Sequence, residues 1–262
     1  MGLKKDWVKD IAGIFLDFIF PSNIYCICCD NLIDKSRKYA LCDNCLESLN
    51  WANECTCSKC GKSLIENEKR KILRKIHVNT EGYNELCDDC KANTHYFERA
   101  FTCLKYGHKE REMVHKYKYN GKAYMGEKLG KILLDRILIE DINVDLVTAV
   151  PSHPKNRAIR GYNQTELMAK VVAKGLKVVY NNQVLIRKNY KAAMNKLDVN
   201  ERFMNVKGAY GATLKTKEID NKSILLIDDV YTTGSTVDEC SRILLESGAS
   251  KVYVLTLASG AN

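Results

Sequence analysis

The chain has 262 residues, 45% of them hydrophobic, and 41 Lys and Arg stand against 32 Asp and Glu for a net charge of +9. A chain of this length buries a sizeable core and has room for two domains. No apolar stretch reaches the roughly 18–20 residues that span a bilayer, which excludes a transmembrane segment of ordinary length. The basic excess sits in the middle: residues 111–222 hold 22 Lys and Arg against 11 Asp and Glu. Such a field favours phosphates, pyrophosphate or nucleic acid, with a solvated lysine surface as the plainer reading.

The first apolar segment, Ile11 to Phe20 after Lys4 and Lys5, is interrupted by Asp17 and ended by Pro21, with no small-residue cleavage site behind it. It does not read as a signal peptide. Trp7, Ile11, Phe15 and Phe18 or Ile19 repeat at helical spacing, which predicts an amphipathic helix packed on the protein, with a peripheral membrane contact as the lesser alternative. The expected location is cytoplasmic.

Eleven of the twelve cysteines precede His108, and eight form Cys-x-x-Cys pairs: Cys26 with Cys29, Cys42 with Cys45, Cys57 with Cys60, and Cys87 with Cys90. A two-residue gap folds as a knuckle presenting two thiolates to one ion, and two knuckles complete a tetrahedral zinc site. One pair alone would fit redox chemistry; four in succession predict two structural Zn²⁺ ions. The simplest pairing is sequential, first knuckle with second and third with fourth, although the spacing also permits a crossed arrangement. A disulfide framework suits secreted chains and is set aside for want of an export signal. Cys28 and Cys55 are expected to be bystanders, Cys103 and Cys240 buried apolar residues, and His77 and His95 neighbours of a second site already filled by four thiolates. The charged stretch Glu66 to Lys75 is expected to extend a loop or short helix. The domain boundary is expected near Ala92 to Ala100, giving a helix and double zinc ribbon at 1–95 and an α/β domain at 96–262.

Beyond the boundary, Tyr106, Tyr117, Tyr119 and Tyr124 interleave with Lys116, Lys118 and Lys122, a surface suited to single-stranded DNA or, more plainly, core packing. Met125, Leu129, Ile132, Leu133 and Ile137 form a helical stripe, and Asp145 to Val150 is an apolar strand. The loop that follows begins with Pro151 and Ser152 and carries Lys155, Arg157 and Arg160, which suits a clamp for pyrophosphate or, equally, a plain surface loop. Leu167, Val171 and Val172 mark another helix.

The most informative stretch runs from Leu225 to Thr236, Leu-Leu-Ile-Asp-Asp-Val-Tyr-Thr-Thr-Gly-Ser-Thr. Ser223 to Ile227 reads as a buried parallel strand, and Asp228 and Asp229 fall at its carboxyl end, where open α/β sheets bind ligands. Neighbouring carboxylates there accept hydrogen bonds from vicinal sugar hydroxyls. Thr232, Thr233, Gly234, Ser235 and Thr236 lead into a helix predicted at Val237 to Glu246, whose amino end suits a phosphate. Diol plus phosphate spells a ribose 5-phosphate. Two Asp residues alone would fit a capped turn; the complete run favours a ligand. Lys251 to Leu257 makes a late strand after Gly248.

That run resembles the phosphoribosyl-pyrophosphate motif of type I phosphoribosyltransferases. The resemblance implies that Asp228 and Asp229 hold the ribose hydroxyls, that residues 232–236 cradle the 5-phosphate, and that Mg²⁺ accompanies phosphoribosyl pyrophosphate. Nearly the whole chain is similar to the ComF family of competence proteins, a double zinc ribbon followed by a phosphoribosyltransferase-like domain with a parallel sheet. The marks are the four knuckles, Lys118-Tyr119-Asn120-Gly121, Val150-Pro151, Arg160-Gly161-Tyr162-Asn163-Gln164, Glu201-Arg202 with Asn205, and the Asp-Asp run. One departure is Asn195, where the family usually has Gln. The resemblance implies a role in DNA uptake during natural transformation, with partners among the competence helicase and recombination machinery. Two functions follow: a phosphoribosyltransferase, or a zinc-ribbon module for single-stranded DNA whose transferase-like pocket senses ligand. No residues that would select an acceptor are legible.

Overall fold

The computed structural model describes residues 24–53, 55–64, 85–119, 121–188, 208–213 and 218–260. The amino-terminal helix, the 66–75 insert, His77, Asn120, Asn195, Glu201, Arg202 and Asn205 lie outside the described residues. Contacts divide the chain into two compact units, Met1–Leu49 and Asn50–Asn262.

The smaller unit is built on two unlike knuckles. An antiparallel bridge from Tyr25 to Leu32 closes the turn carrying Cys26 and Cys29. Cys42 then caps helix α1, Asp43–Ser48, which carries Cys45. The same plan recurs in the larger unit: Thr56 bridges Ser63 around Cys57 and Cys60, and Cys87 caps helix α2, Asp88–Ala92, which carries Cys90. The contacts thus divide the chain earlier than the boundary expected at residue 95. The second pair of knuckles shares a hydrophobic cluster with the sheet, whereas spacing along the chain groups it with the first.

The larger unit centres on a five-stranded sheet in the order β1-β7-β6-β2-β3, every neighbouring pair parallel. Its strands are β1 Arg99–Lys105, β2 Leu146–Ala149, β3 Val179–Tyr180, β6 Ser223–Tyr231 and β7 Lys251–Ser259. Strands β4, Leu185–Arg187, and β5, Tyr210–Ala212, form a separate antiparallel pair. The helices are α3 His108–Tyr119, α4 Met125–Leu138, α5 Pro154–Arg160, α6 Gln164–Leu176 and α7 Ser235–Glu246. Ile224, Leu225, Leu226 and Ile227 are all fully buried, because a central parallel strand is covered on both faces. Ile224, Leu226, Val252 and Val254 point to the face that holds Val237, Cys240 and Leu244 of α7, and Phe97 and the second cysteine quartet join that layer. Helices α4 and α6 pack closely on each other: a methyl group at Gly130 would lie 2.7 Å from Cβ of Val171.

Two sequence expectations change. Strand β6 does not stop before the carboxylates; its pairing with β7 continues through Asp228 opposite Thr256 to Tyr231 opposite Ser259. Its pairing with β2 ends at Ile227 opposite Ala149. The 151–164 loop contains a helix: His153 Nδ1 accepts from Lys155 N–H at 3.1 Å at the start of α5, and Gly161, at φ 77°, ends it.

Candidate functional site

Chain order from β2 runs outward to β3, and from β6 it runs the opposite way to β7. The carboxyl ends of β2 and β6 therefore flank the point where the strand order reverses, the position at which open α/β sheets form a crevice. Beyond the Val150 N–H to Ile227 O bond at 2.9 Å, the β2 side of β6 is no longer paired with a strand. Asp228 and Asp229 lie at this opening, with Pro151 and Ser152 beginning beside them across the register. The Ser152 hydroxyl is buried and has no hydrogen-bond partner among the described residues.

The two carboxylates are not equivalent. Asp229 accepts from Lys118 Nζ at 2.7 Å, with both side chains largely covered at 17% and 22% exposure. Asp228 instead accepts from the Asp229 N–H at 2.8 Å. Burial, then repulsion from Asp229, push the Asp228 carboxyl up to about 7, although Lys118 and Arg187 pull the other way. Burial opposes charge on Lys118, yet attraction to Asp229 and Asp228 prevails and holds its ammonium above the usual lysine range.

Gly234 then turns the chain at φ 79°, a left-handed conformation that favours glycine, and its carbonyl accepts from the Asp238 N–H at 2.8 Å. The Thr233 and Ser235 hydroxyls are 2.8 Å apart. The loop thereby leads hydroxyls to the amino end of a twelve-residue helix, where the Ser235 N–H donates to Thr233 Oγ1 at 3.4 Å. Thr236 also lies near the Tyr210 hydroxyl, so this residue of the expected phosphate cradle faces β5.

The clamp residues divide. Pro151 and Ser152 follow directly on the end of β2, half-buried, whereas Lys155 and Arg157 stand exposed on α5. Arg160 donates to Gln164 Oε1 at 3.0 Å and lies 4.8 Å over the ring of Tyr119. The rest of the Arg-Gly-Tyr-Asn-Gln motif is occupied in scaffolding. Tyr162 donates to Tyr117 O at 2.7 Å, Asn163 to Val150 O at 3.4 Å, and Gln164 to Lys118 O at 3.4 Å; Tyr117 donates in turn to Gln164 O at 2.7 Å. These bonds pin the end of α3 beside the end of β2 and so aim Lys118 at Asp229.

Lys118 is the main residue that sequence reasoning placed elsewhere, on an aromatic and basic DNA surface. Its neighbour Tyr117 is fully buried, while Tyr119 is 59% exposed. Its place in the Lys-Tyr-Asn-Gly motif was the available signal. Arg187, 5.4 Å from the Tyr210 ring and near Asp228, had none, because its approach depends on how the β4–β5 pair packs against α7.

The eight knuckle cysteines form two quartets, Cys26, Cys29, Cys42 and Cys45, then Cys57, Cys60, Cys87 and Cys90. Within each quartet the sulfurs lie within 4.8 Å of one another. The arrangement is sequential, and the all-thiolate donor set fits tetrahedral zinc. Backbone N–H groups of Cys42 and Cys87 donate to Cys26 Sγ and Cys57 Sγ at 3.4 and 3.3 Å, as thiolate ligands require. Cys103 and Cys240 are buried, as expected, and Cys28 and Cys55 stand outside both quartets. His95 does not approach as a ligand: it stacks on Phe97 at 4.8 Å and faces Asp238 at 3.5 Å.

Comparison with known proteins accords with this architecture. Residues 15–77 match the double zinc ribbon domain and residues 165–262 the phosphoribosyl transferase domain. Competence protein F of Haemophilus influenzae is 23% identical over 83% of this chain and 96% of its own length. Competence protein ComFC of Streptococcus pneumoniae is 25% identical over 86% of this chain and 97% of its own. The chain is a homologue of the ComF competence proteins. DNA utilization protein YhgH of Escherichia coli is 26% identical over 65% of this chain and 76% of its own. The fold is accordingly an α/β phosphoribosyltransferase type on a parallel sheet, carrying an N-terminal double zinc ribbon. No helix among the described residues is long and apolar enough to cross a membrane.

Proposed function

We propose that this chain binds phosphoribosyl pyrophosphate and acts in the cytoplasm in the uptake and handling of transforming DNA, with two structural zinc ions in its cysteine quartets. One observation carries the ligand reading: two adjacent carboxylates and a Thr/Gly/Ser loop at a helix amino end share the opening where β2 stops and β6 continues. Asp228 and Asp229 accept the ribose hydroxyls, Thr232, Thr233, Gly234 and Ser235 with Thr236 take the 5-phosphate, and Ser152 with Pro151 begins the pyrophosphate side. Lys155, Arg157 and Arg160 supply positive charge along that side. Asp228 and Asp229 would be the residues to hold Mg²⁺ with the diphosphate, where it would supply charge neutralisation. Without ligand, Lys118 is the cationic partner of Asp229.

Calorimetry with phosphoribosyl pyrophosphate and Mg²⁺ tests this reading directly. The double variant Asp228→Asn and Asp229→Asn should bind at least about tenfold to a hundredfold more weakly, the effect of losing one charged hydrogen bond. Unchanged affinity would place the pocket elsewhere. Pyrophosphate release with candidate acceptors then separates a transferase from a ligand sensor. The DNA role rests on the competence and DNA-utilization names of the relatives. A direct contact with single-stranded DNA is favoured by exposed Tyr119, with Arg160 over its ring, and exposed Tyr124 beside the basic middle of the chain. Competence helicase and recombination proteins are the partners this role implies.

A further inference from the structure

The second cysteine quartet and the phosphate loop meet on one side chain. Tyr231, the last residue of β6, is 3% exposed and belongs to the same buried cluster as Cys57, Cys60, Cys87, Cys90 and Phe97. Phe97 meets its ring edge-on at 6.4 Å. Lys62, from the turn that closes the Cys57–Cys60 knuckle, places its ammonium 5.8 Å over the same ring. That ammonium is bonded at 2.7 Å to Asp89, which lies between Cys87 and Cys90. One end of Tyr231 is therefore fixed by both knuckles of the quartet. The other end, its hydroxyl, lies directly against Gly234, where even a methyl group would overlap it.

A second contact makes the same connection. The segment leaving Cys90 sends the Tyr96 N–H to Asp238 Oδ1 at 2.7 Å, and His95 packs between Asp238 and Phe97. Asp238 lies in the first turn of α7, and its own N–H donates to Gly234 O. Knuckle, loop and helix start thus form one packed unit.

We propose that the second cysteine quartet braces the phosphate loop, with Tyr231 as the positioning residue that transmits its geometry to Gly234. The proposal rests on residues 232–236 being a phosphate site. Coupling of this kind is reciprocal: metal in the quartet favours the loop conformation that binds the anion, and the bound anion strengthens retention of the metal by the same factor. The first quartet, in the other compact unit, serves as the internal control.

The test follows zinc release from the zinc-loaded full-length chain into a chromogenic chelator, with and without phosphoribosyl pyrophosphate and Mg²⁺, beside calorimetry of ligand binding. For the wild type, the ligand should slow one release phase at least about fivefold and leave the other unchanged, the low end of ordinary site coupling. Tyr231→Phe keeps the ring against the knuckles and removes only the atom facing Gly234. It should retain two zinc ions per chain, bind the ligand about tenfold more weakly, and show little slowing. Tyr231→Leu should retain both ions and lose the slowing altogether. If the wild type binds ligand but neither phase slows, or if Tyr231→Phe matches the wild type in both measurements, the coupling is wrong and the pocket reading stands. If the wild type does not bind, the pocket reading falls and the coupling with it.

Discussion

Asp228→Asn should stabilise the free protein while disabling the proposed ribose site. Lys118 pairs with Asp229 at 2.7 Å, whereas burial and repulsion from Asp229 push the Asp228 carboxyl up to about 7. A carboxyl with a higher pKa folded than unfolded takes up a proton on folding. Its contribution therefore weakens stability as pH rises from the ordinary carboxylate range to about 7, and the full cost stands above that. The interval from 3.8 to about 7 corresponds to on the order of 4 kcal/mol, of which about 2 kcal/mol falls between pH 5.5 and 8. Asparagine keeps the shape and removes the charge. Urea unfolding of zinc-loaded wild type and variant across that pH range is the assay, and zinc-linked protons cancel in the difference. The variant's advantage should widen steadily with pH and level off above about 8. Parallel stability curves would show that Asp228 is not held protonated, and the account of an unequal carboxylate pair would be wrong. The same linkage makes ligand binding release a proton near neutrality, so affinity should rise with pH through about 7.

Elemental analysis should give about two zinc per chain, as two thiolate quartets require, and chelation should unfold residues 24–49; a folded, metal-free unit would refute this. Gly130→Ala should lower the urea midpoint, because a Cβ 2.7 Å from Val171 Cβ costs about 1–3 kcal/mol of overpacking, more than the roughly 1 kcal/mol helix gain. Fluorescence anisotropy at low salt should detect weak binding to single-stranded oligonucleotides, with a log–log salt slope of roughly −0.7 per neutralised phosphate. Lys116→Glu with Lys122→Glu should weaken that binding and flatten the slope while sparing nucleotide-sugar binding. Lys118→Glu should damage the sugar site as well, since it reverses the partner of Asp229.

Much of this protein was legible in its residues because the signals are local. The apolar run at 224–227, the helical stripe from Met125 to Ile137 and the two-residue gaps between cysteines each depend on neighbours a few positions away. They correctly announced a buried strand, helix α4 and the eight knuckle cysteines that cluster in two quartets, and the order of motifs along the chain announced the fold type. Other features depend on which strands lie side by side and how far their pairing runs. The sequential grouping of the quartets became definite only when the sulfurs converged in space. Lys118 read as one cation among several until the hydrogen bonds of Tyr162 and Gln164 turned the end of α3 toward Asp229. Asp228 and Asp229 are identical in sequence and differ in the fold, because an ion pair satisfies one while burial presses on the other. The second pair of knuckles counted as part of an amino-terminal ribbon by spacing, and packing joined it to Tyr231 and the sheet. Spacing fixes which groups can share a turn, but charge, burial and alignment at a site are set by residues far apart in the chain, and only the packed structure brings those together.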